Sequence, residues 1–311
     1  MTPQMKKVSY GIFGLLSLVY VALSLVIPGQ ARIYSTRYHL SINQVHLLSL
    51  AVILPFVLLW LVGFYGSIKL RSYADLIKDT EDGIAIRIMA KGLFYIALFL
   101  PLSSILTLVV NYVSYTHAYL TPTTTIITNY VAVSILLIGF STLLYGSNLL
   151  VATIRKRDYD IKEQFVILLF IITSGLFSYF SLTNPNRQFP TANTGKAVYY
   201  LSDLILVLTI VVPYIYILYC GFRTAYNVHL YRSAVGGVFY RQALLWLSYG
   251  IGATCLGMIA IRFLGSLSNW INNTTSLQYI LIVVYVLLVM VTLGYGLVAA
   301  GAKQLRKIEE A

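Results

Sequence analysis

Eight long apolar runs constrain the fold of this chain more than any other feature. Each is long enough to cross a bilayer as a helix, which takes about 20 apolar residues. The runs lie near residues 9–27, 46–66, 92–112, 129–151, 164–182, 198–220, 242–264 and 278–300. They lack the period-2 alternation of barrel strands, and only 10% of the 311 residues are charged, against about 25% in soluble chains. The sequence therefore predicts an all-α integral membrane protein with eight transmembrane helices.

The basic residues predict the orientation of these helices. With the N-terminus placed inside, 17 of the 22 lysines and arginines fall on inner segments and 5 on outer segments. Basic residues concentrate on the cytoplasmic side of membrane proteins, so we expect a multi-pass protein with both termini inside. The net charge of +12 then faces anionic lipid headgroups, which attract each basic residue by roughly 1 kcal/mol. A nucleic-acid partner is not expected.

Short motifs recur in the same order in the two halves of the chain. The paired residues are Pro55 and Pro213, Gly63 and Gly221, Phe64 and Phe222, Gly83 and Gly237, Arg87 and Arg241, Tyr145 and Tyr295, and Gly146 and Gly296. Their spacing falls from 158 residues at the prolines to 150 at the last pair. Each half holds four crossings, an even number, so both halves enter the membrane in the same direction. We predict two parallel four-helix repeats, residues 1–157 and 158–311.

Two prolines lie within the second and sixth predicted spans. Pro55 and Pro213 each remove a backbone hydrogen bond, which kinks a helix. A symmetric pair of kinks beside a repeat axis can widen a central space, and packing geometry alone is the alternative interpretation.

Small residues predict close packing of the last two spans. Ala253 and Gly257 are four residues apart, as are Gly296 and Ala300. This spacing puts both members of a pair on one helix face, where backbones can approach closely. A hinge role for the glycines is the alternative.

Two charged residues lie inside predicted spans near the outer face. Asp203 falls about one turn into the sixth span, and Arg262 lies near the outer end of the seventh. A charge within a span is costly unless it is paired, so we predict an ion pair between them. The alternative is that Asp203 binds a cation or a proton at the mouth of a path.

The two inner links differ in charge. The link from Ser67 to Arg87 contains four acids and has apolar residues at helical spacing, which predicts a short amphipathic helix on the membrane surface. The link after the sixth span contains no acid, and its basic residues favour a contact with lipid headgroups or a partner. Tyrosines near both links, including Tyr73, Tyr231 and Tyr240, are expected in the interfacial aromatic belt.

No motif identifies a chemical reaction or a cofactor. The two cysteines lie in apolar runs, which predicts free buried thiols. Tandem four-helix bundles resemble the architecture of haem A synthases, but haem needs axial histidines that face one another, and the repeat equivalent of His46 is Leu204. A zinc site at His39, His46 and His117 would lack a fourth ligand. We therefore expect no cofactor and regard an enzyme as the weakest class.

Two function classes remain open. A channel or transporter-like protein would use a path between the repeats, near the proline-containing second and sixth helices. A membrane scaffold or assembly subunit would need only packing surfaces and basic inner links. A water-accessible space between the second and sixth helices distinguishes the two classes.

Overall fold

A computed structural model describes residues 3–26, 41–116, 121–155, 201–268 and 274–310. Apart from short connections these residues form helices, and none of them lies in a strand. The helices are α1 (Pro3–Val26), α2 (Ile42–Leu76), α3 (Glu81–Thr116), α4 (Thr121–Arg155), α5 (Leu201–Ala234), α6 (Val238–Ser268) and α7 (Thr274–Glu310). The helical fold class is confirmed for this part of the chain. The predicted span near 164–182 lies outside the described residues, so the count of eight spans stays a prediction.

The helices have the length and surface of membrane helices. Within the described residues, four stretches are long and apolar enough to cross a membrane, namely Leu54–Leu76, Ser134–Ile154, Val238–Ile261 and Tyr285–Glu310. Aliphatic side chains also face away from the protein, with Leu18 69% and Leu293 63% exposed. Water-soluble monomers rarely present large apolar surfaces of this kind. These features indicate a membrane protein.

Six of the helices form a closed ring. Each helix from α2 to α7 packs against the next one described, and α7 returns to pack against α2. Helix α1 lies outside the ring against α2 and α3, where Phe13 stacks on Phe64 with ring centroids 3.8 Å apart. Buried apolar side chains from all six ring helices form one contiguous core.

Glycines bring neighbouring backbones of the ring into direct contact. A Cβ added to Gly92 of α3 would lie 2.7 Å from the carbonyl oxygen of Gly139 on α4. A Cβ added to Gly250 of α6 would lie 2.5 Å from the carbonyl oxygen of Gly294 on α7. Only glycine permits such an approach, and close packing of small residues is what holds helices together in lipid.

The contact between α6 and α7 uses one of the two predicted glycines and not the other. Gly257 does lie in the contact, because a Cβ there would overlap the side chain of Val291. Gly296 does not, since nothing lies within 4 Å of a Cβ at that position. Gly294 and Gly301 approach α6 instead. Gly296 lies two residues after Gly294, and a step of two residues along a helix rotates the side-chain direction by about 200°. The packing role predicted for Gly296 is therefore corrected.

The connection from α2 to α3 is a short turn. Helix α2 continues without a break to Leu76, so the separate surface helix predicted over residues 67–87 is wrong. A helix on the membrane surface would turn its apolar residues toward lipid, but Leu70 and Tyr73 are completely buried among the ring helices. The apolar spacing was that of a helix, and the protein core covers it.

Thr80 and Gly83 shape that turn. The Thr80 hydroxyl accepts a hydrogen bond from the Gly83 amide (3.0 Å) and can donate to the Ile77 carbonyl oxygen (2.7 Å), as helix N-caps do. A Cβ on Gly83 would overlap that carbonyl. Glu81 and Asp82 occupy the first turn of α3, where the helix dipole favours negative charge.

The connection from α5 to α6 is also short, but it depends on a glycine with a left-handed backbone conformation. Gly237 has φ = 87°, a left-handed conformation that glycine adopts at little cost. Its carbonyl oxygen accepts a hydrogen bond from the Arg241 amide (3.1 Å), which starts α6. We refer below to the ring end at these two turns as the inner end.

Candidate functional site

Polar side chains meet at the inner end of the ring. They come from five of its helices: Tyr73 from α2, Asp82 from the first turn of α3, Thr153 from α4, Tyr231 from α5 and Tyr240 from the first turn of α6. Tyr73 is completely buried and Tyr231 is 5% exposed. We call these five residues the inner polar cluster.

Hydrogen bonds connect the members of this cluster. The hydroxyls of Tyr73 and Tyr240 are hydrogen-bonded to each other. The Tyr231 hydroxyl donates to Asp82 Oδ2 at 2.6 Å, and the Thr153 hydroxyl lies 2.9 Å from Asp82 Oδ1. Both carboxylate oxygens of Asp82 therefore have a partner, and hydrogen bonds to a charged acceptor are among the strong ones.

Two of these hydrogen bonds cross the ring. Tyr73 and Tyr240 join α2 to α6, and Tyr231 and Asp82 join α5 to α3, although neither pair of helices is adjacent in the ring order. Side chains that meet in this way lie across the ring interior. The cluster therefore closes the inner end of the ring.

The two crossing bonds occupy equivalent sequence positions. Tyr231 follows Tyr73 by 158 residues, and Tyr240 follows Asp82 by the same 158 residues. In both cases the tyrosine near the end of one helix bonds a residue in the first turn of another. The partners of the two tyrosines differ. Tyr231 bonds the carboxylate of Asp82, whereas Tyr73 bonds the phenol of Tyr240.

Buried polar atoms without a protein partner lie within the ring helices. In the described part of the chain they include Trp60 Nε1 on α2, Ser141 Oγ on α4, Thr254 Oγ1 on α6 and the Tyr295 hydroxyl on α7. Nearly all buried polar groups in proteins are hydrogen-bonded to protein or water, and exceptions need an explanation. These four atoms are buried polar groups of the ring helices that no described group of the protein satisfies.

A hydrogen-bonded seam joins α4 to α5. The Asn227 amide donates to Ser147 Oγ at 3.1 Å and to Asn148 Oδ1 at 2.6 Å. Polar contacts of this kind hold membrane helices together, and this seam closes the ring between its two halves.

The residues of the predicted motifs separate into different environments. Arg87 Nη2 pairs with Asp75 Oδ1 at 3.2 Å, whereas Arg241 donates through Nε to the Val235 carbonyl oxygen at 2.9 Å. Phe64 is buried under α1 and Phe222 is half-exposed. The other predicted residues lie within helices: Pro55 and Gly63 in α2, Tyr145 and Gly146 in α4, Pro213 and Gly221 in α5, Ala253 in α6, and Tyr295 and Ala300 in α7.

Several predicted sites fall outside the described side chains. Asp203 lies in α5 and Arg262 in α6, two helices that pack together, but their side chains are outside the described part, as is that of His46. His39 and His117 lie in undescribed segments. Among the side chains that are described, no group of three could hold a metal ion. Cys220 and Cys255 are buried thiols that form no disulfide, as predicted.

The inner polar cluster is the feature that the sequence prediction missed. Tyr73, Tyr231 and Tyr240 were expected in the interfacial aromatic belt, but the ring buries Tyr73 and Tyr231 and partly buries Tyr240. Their positions at the ends of membrane-length helices suggested lipid contact. A signal was present, since Tyr73 and Tyr231 have the same 158-residue spacing as Pro55 and Pro213.

No family model matches this chain, and it has no match among curated proteins or solved structures. The functional interpretation therefore depends on the geometry of the chain itself.

Proposed function

We propose that this protein forms a channel- or transporter-like path along the axis of the helix ring, closed at the inner end by the inner polar cluster. The observation that carries the proposal is the pair of hydrogen bonds, Tyr73–Tyr240 and Tyr231–Asp82, that cross the ring between non-adjacent helices. A static core needs no polar closure at its centre, because apolar packing fills such a space without buried polar groups.

In this proposal, the path lies between two parallel four-helix repeats, residues 1–157 and 158–311. Close contacts that recur at constant spacing support it. The Gly92–Gly139 approach between α3 and α4 has the same form as the Gly250–Gly294 approach between α6 and α7. The first members are 158 residues apart and the second members 155.

A further pair of glycine contacts has the same spacing. A Cβ on Gly146 would lie 2.7 Å from the Ala85 carbonyl oxygen, and one on Gly301 would lie 2.6 Å from that of Ala243. These contacts favour a different register from the motif pairing, which set Gly146 opposite Gly296. The motif pairing depends on short sequence matches, whereas the glycine contacts depend on which helix faces touch.

The order of the ring supports the same arrangement. The contacts α2–α3 and α3–α4 have counterparts in α5–α6 and α6–α7, and the contact α4–α5 has its counterpart in α7–α2. A twofold axis through the ring interior relates such pairs, and parallel repeats place a path at their common axis. The excess of basic residues at the inner end supports termini on the cytoplasmic side.

A scaffold is the second candidate. The contiguous apolar core of the ring favours it, because a protein that only presents surfaces to partners requires a solid interior. The unpartnered polar atoms at Trp60, Ser141, Thr254 and Tyr295 favour the path instead.

Cysteine accessibility distinguishes the two candidates. Leu70 and Val228 are completely buried and lie one turn deeper than Tyr73 and Tyr231 on the same helix faces. In a variant with alanine at 220 and 255, we would introduce Leu70→Cys or Val228→Cys and apply a membrane-impermeant maleimide from the inner side. The path account expects no labelling until Asp82→Ala is added, and labelling of both positions afterwards.

A matched control tests whether Asp82→Ala merely unfolds the protein. Met89 is also completely buried but lies in the contact between adjacent helices α3 and α4, so Met89→Cys should stay unlabelled throughout. If Leu70→Cys and Val228→Cys also stay unlabelled after Asp82→Ala, the interior is solid and the scaffold is the better account.

A further inference from the structure

A basic cleft lies at the inner end of the ring, on the turn between α5 and α6. It has a volume of about 230 Å³ and is lined by His229, Arg232, Ser233 and Arg241. None of these lining residues is acidic, and the sequence from Phe222 to Arg241 contains no aspartate or glutamate. The cleft does not share a residue with the inner polar cluster.

Within the described residues, the side chain of Arg232 makes no hydrogen bond and that of Arg241 makes one. Arg232 Nε is buried and has no hydrogen-bond partner in the described part of the chain. Among the described residues, the Arg241 side chain donates through Nε alone, to the Val235 carbonyl oxygen at 2.9 Å. This bond fixes the guanidinium group and leaves its terminal nitrogens for another acceptor. Ser233 also lines the cleft. Its hydroxyl donates to the Leu230 carbonyl oxygen at 2.6 Å.

We propose that this cleft binds a phosphate group, with Arg232 and Arg241 as the principal ligands and His229 as a third donor. Guanidinium groups bind phosphate oxygens through paired, charge-assisted hydrogen bonds. Two arginines beside each other without a carboxylate repel each other unless an anion lies between them. The turn that holds them depends on Gly237, whose φ of 87° places Arg241 opposite the end of α5.

The other half of the ring shows what the same position looks like without a ligand site. The residues 158 positions before His229, Arg232, Ser233 and Arg241 are Arg71, Ala74, Asp75 and Gly83. There the carboxylate of Asp75 accepts from Arg87 at 3.2 Å, so the protein supplies its own anion. In the second half the serine at position 233 stands in place of that carboxylate, and at this spacing the two arginines of the cleft have no arginine counterpart in the first half.

The phosphate can belong to a lipid headgroup or to a free solute, and the experiment separates these sources. Purified full-length protein in detergent is titrated by calorimetry with inorganic phosphate, with short-chain phosphatidic acid and with short-chain phosphatidylcholine. We expect saturable binding that Arg232→Gln or Arg241→Gln weakens by roughly tenfold or more, as loss of a charged hydrogen bond predicts. Binding of phosphatidic acid alone assigns the site to a lipid headgroup, and binding of inorganic phosphate as well assigns it to the phosphate group from either source.

Control variants keep the proposal testable. Arg306→Gln removes the same charge from an exposed ion pair with Glu310 on α7 and should leave the affinity unchanged. Arg241 is exposed, so Arg241→Gln remains informative if Arg232→Gln fails to fold. The proposal is overturned if no probe binds, if Arg306→Gln weakens binding as much as the cleft variants, or if phosphatidylcholine binds as tightly as phosphatidic acid.

Discussion

The turn from α2 to α3 and the turn from α5 to α6 have equivalent places in the ring but differ in their acidic residues. The first contains Asp75, Asp79, Glu81 and Asp82, and the second has no acidic residue. Both place a buried tyrosine so that its hydroxyl crosses the ring. The backbone plan and the tyrosine are shared, while the ionisable residues are not. We therefore assign the architecture to the shared backbone and tyrosines, and functional specialisation to the ionisable residues that differ.

The largest effect is expected from substitutions that force apart the helix backbones in contact in both halves of the ring. Gly92→Leu and Gly250→Leu should each destabilise the protein by about 3 kcal/mol or more, because a side chain at either site must displace the backbone of the next helix. Thermal unfolding in detergent measures the effect. Gly296→Leu is the matched control and should change stability little, since space is open there. Equal tolerance at all three glycines would contradict the described contacts.

The next test separates the two crossing bonds. Asp82→Ala removes the carboxylate that accepts from the buried Tyr231 hydroxyl, which costs about 1–3 kcal/mol for a buried group. The Thr153 hydroxyl keeps the Leu150 carbonyl oxygen as an acceptor at 2.8 Å. Tyr240→Phe removes hydrogen bonds between neutral groups only and should cost less. Chemical unfolding of both variants checks the order. A larger loss for Tyr240→Phe would show that Asp82 is not the anchor of the cluster.

The outer end of the ring offers a smaller effect. The predicted pair of Asp203 and Arg262 is expected near the interface, where an unpaired charge costs less than the roughly 2.5–3.5 kcal/mol found at a span centre. Each single charge reversal should lower the yield of folded protein, and the double swap Asp203→Arg with Arg262→Asp should restore it. Normal folding of Asp203→Asn with loss of solute flux would assign Asp203 to the path instead.

The smallest effect is expected at the partly exposed ion pair of the first turn. Arg87→Gln should cost at most about 1 kcal/mol, since exposed salt bridges contribute little. It should leave phosphate binding unchanged, whereas Arg232→Gln should reduce phosphate binding with little change in the unfolding midpoint. The same effect from both variants would remove the distinction between the two turns.

The length of the apolar runs was sufficient to predict the helices of the described residues, because membrane spans need long uninterrupted apolar runs. It was not sufficient for their surroundings. The helical spacing of Leu70 and Tyr73 is the same whether lipid or protein covers them, so only the three-dimensional packing shows that they are buried. Likewise, Gly294 and Gly296 differ in which helix face they occupy, and local motif matches do not resolve that.

The inner polar cluster could not be predicted for a related reason. Tyr73 and Tyr240 are 167 residues apart in the chain, and Tyr231 and Asp82 are 149 apart. A hydrogen bond over such distances depends on the closure of the whole ring. The equal spacing of Tyr73 to Tyr231 and of Asp82 to Tyr240 was visible in the sequence, but it has meaning only once the two crossing bonds are seen.

The most direct measurement is a pair of double-mutant cycles on the crossing bonds. One cycle combines Tyr73→Phe with Tyr240→Phe, and the other combines Tyr231→Phe with Asp82→Asn, with the free energy of unfolding in detergent as the readout. We expect coupling in both, about 0.6 kcal/mol for the neutral pair and about 1.5 kcal/mol or more for the pair with the carboxylate. Additive effects in both cycles would contradict a ring that polar side chains close at its inner end.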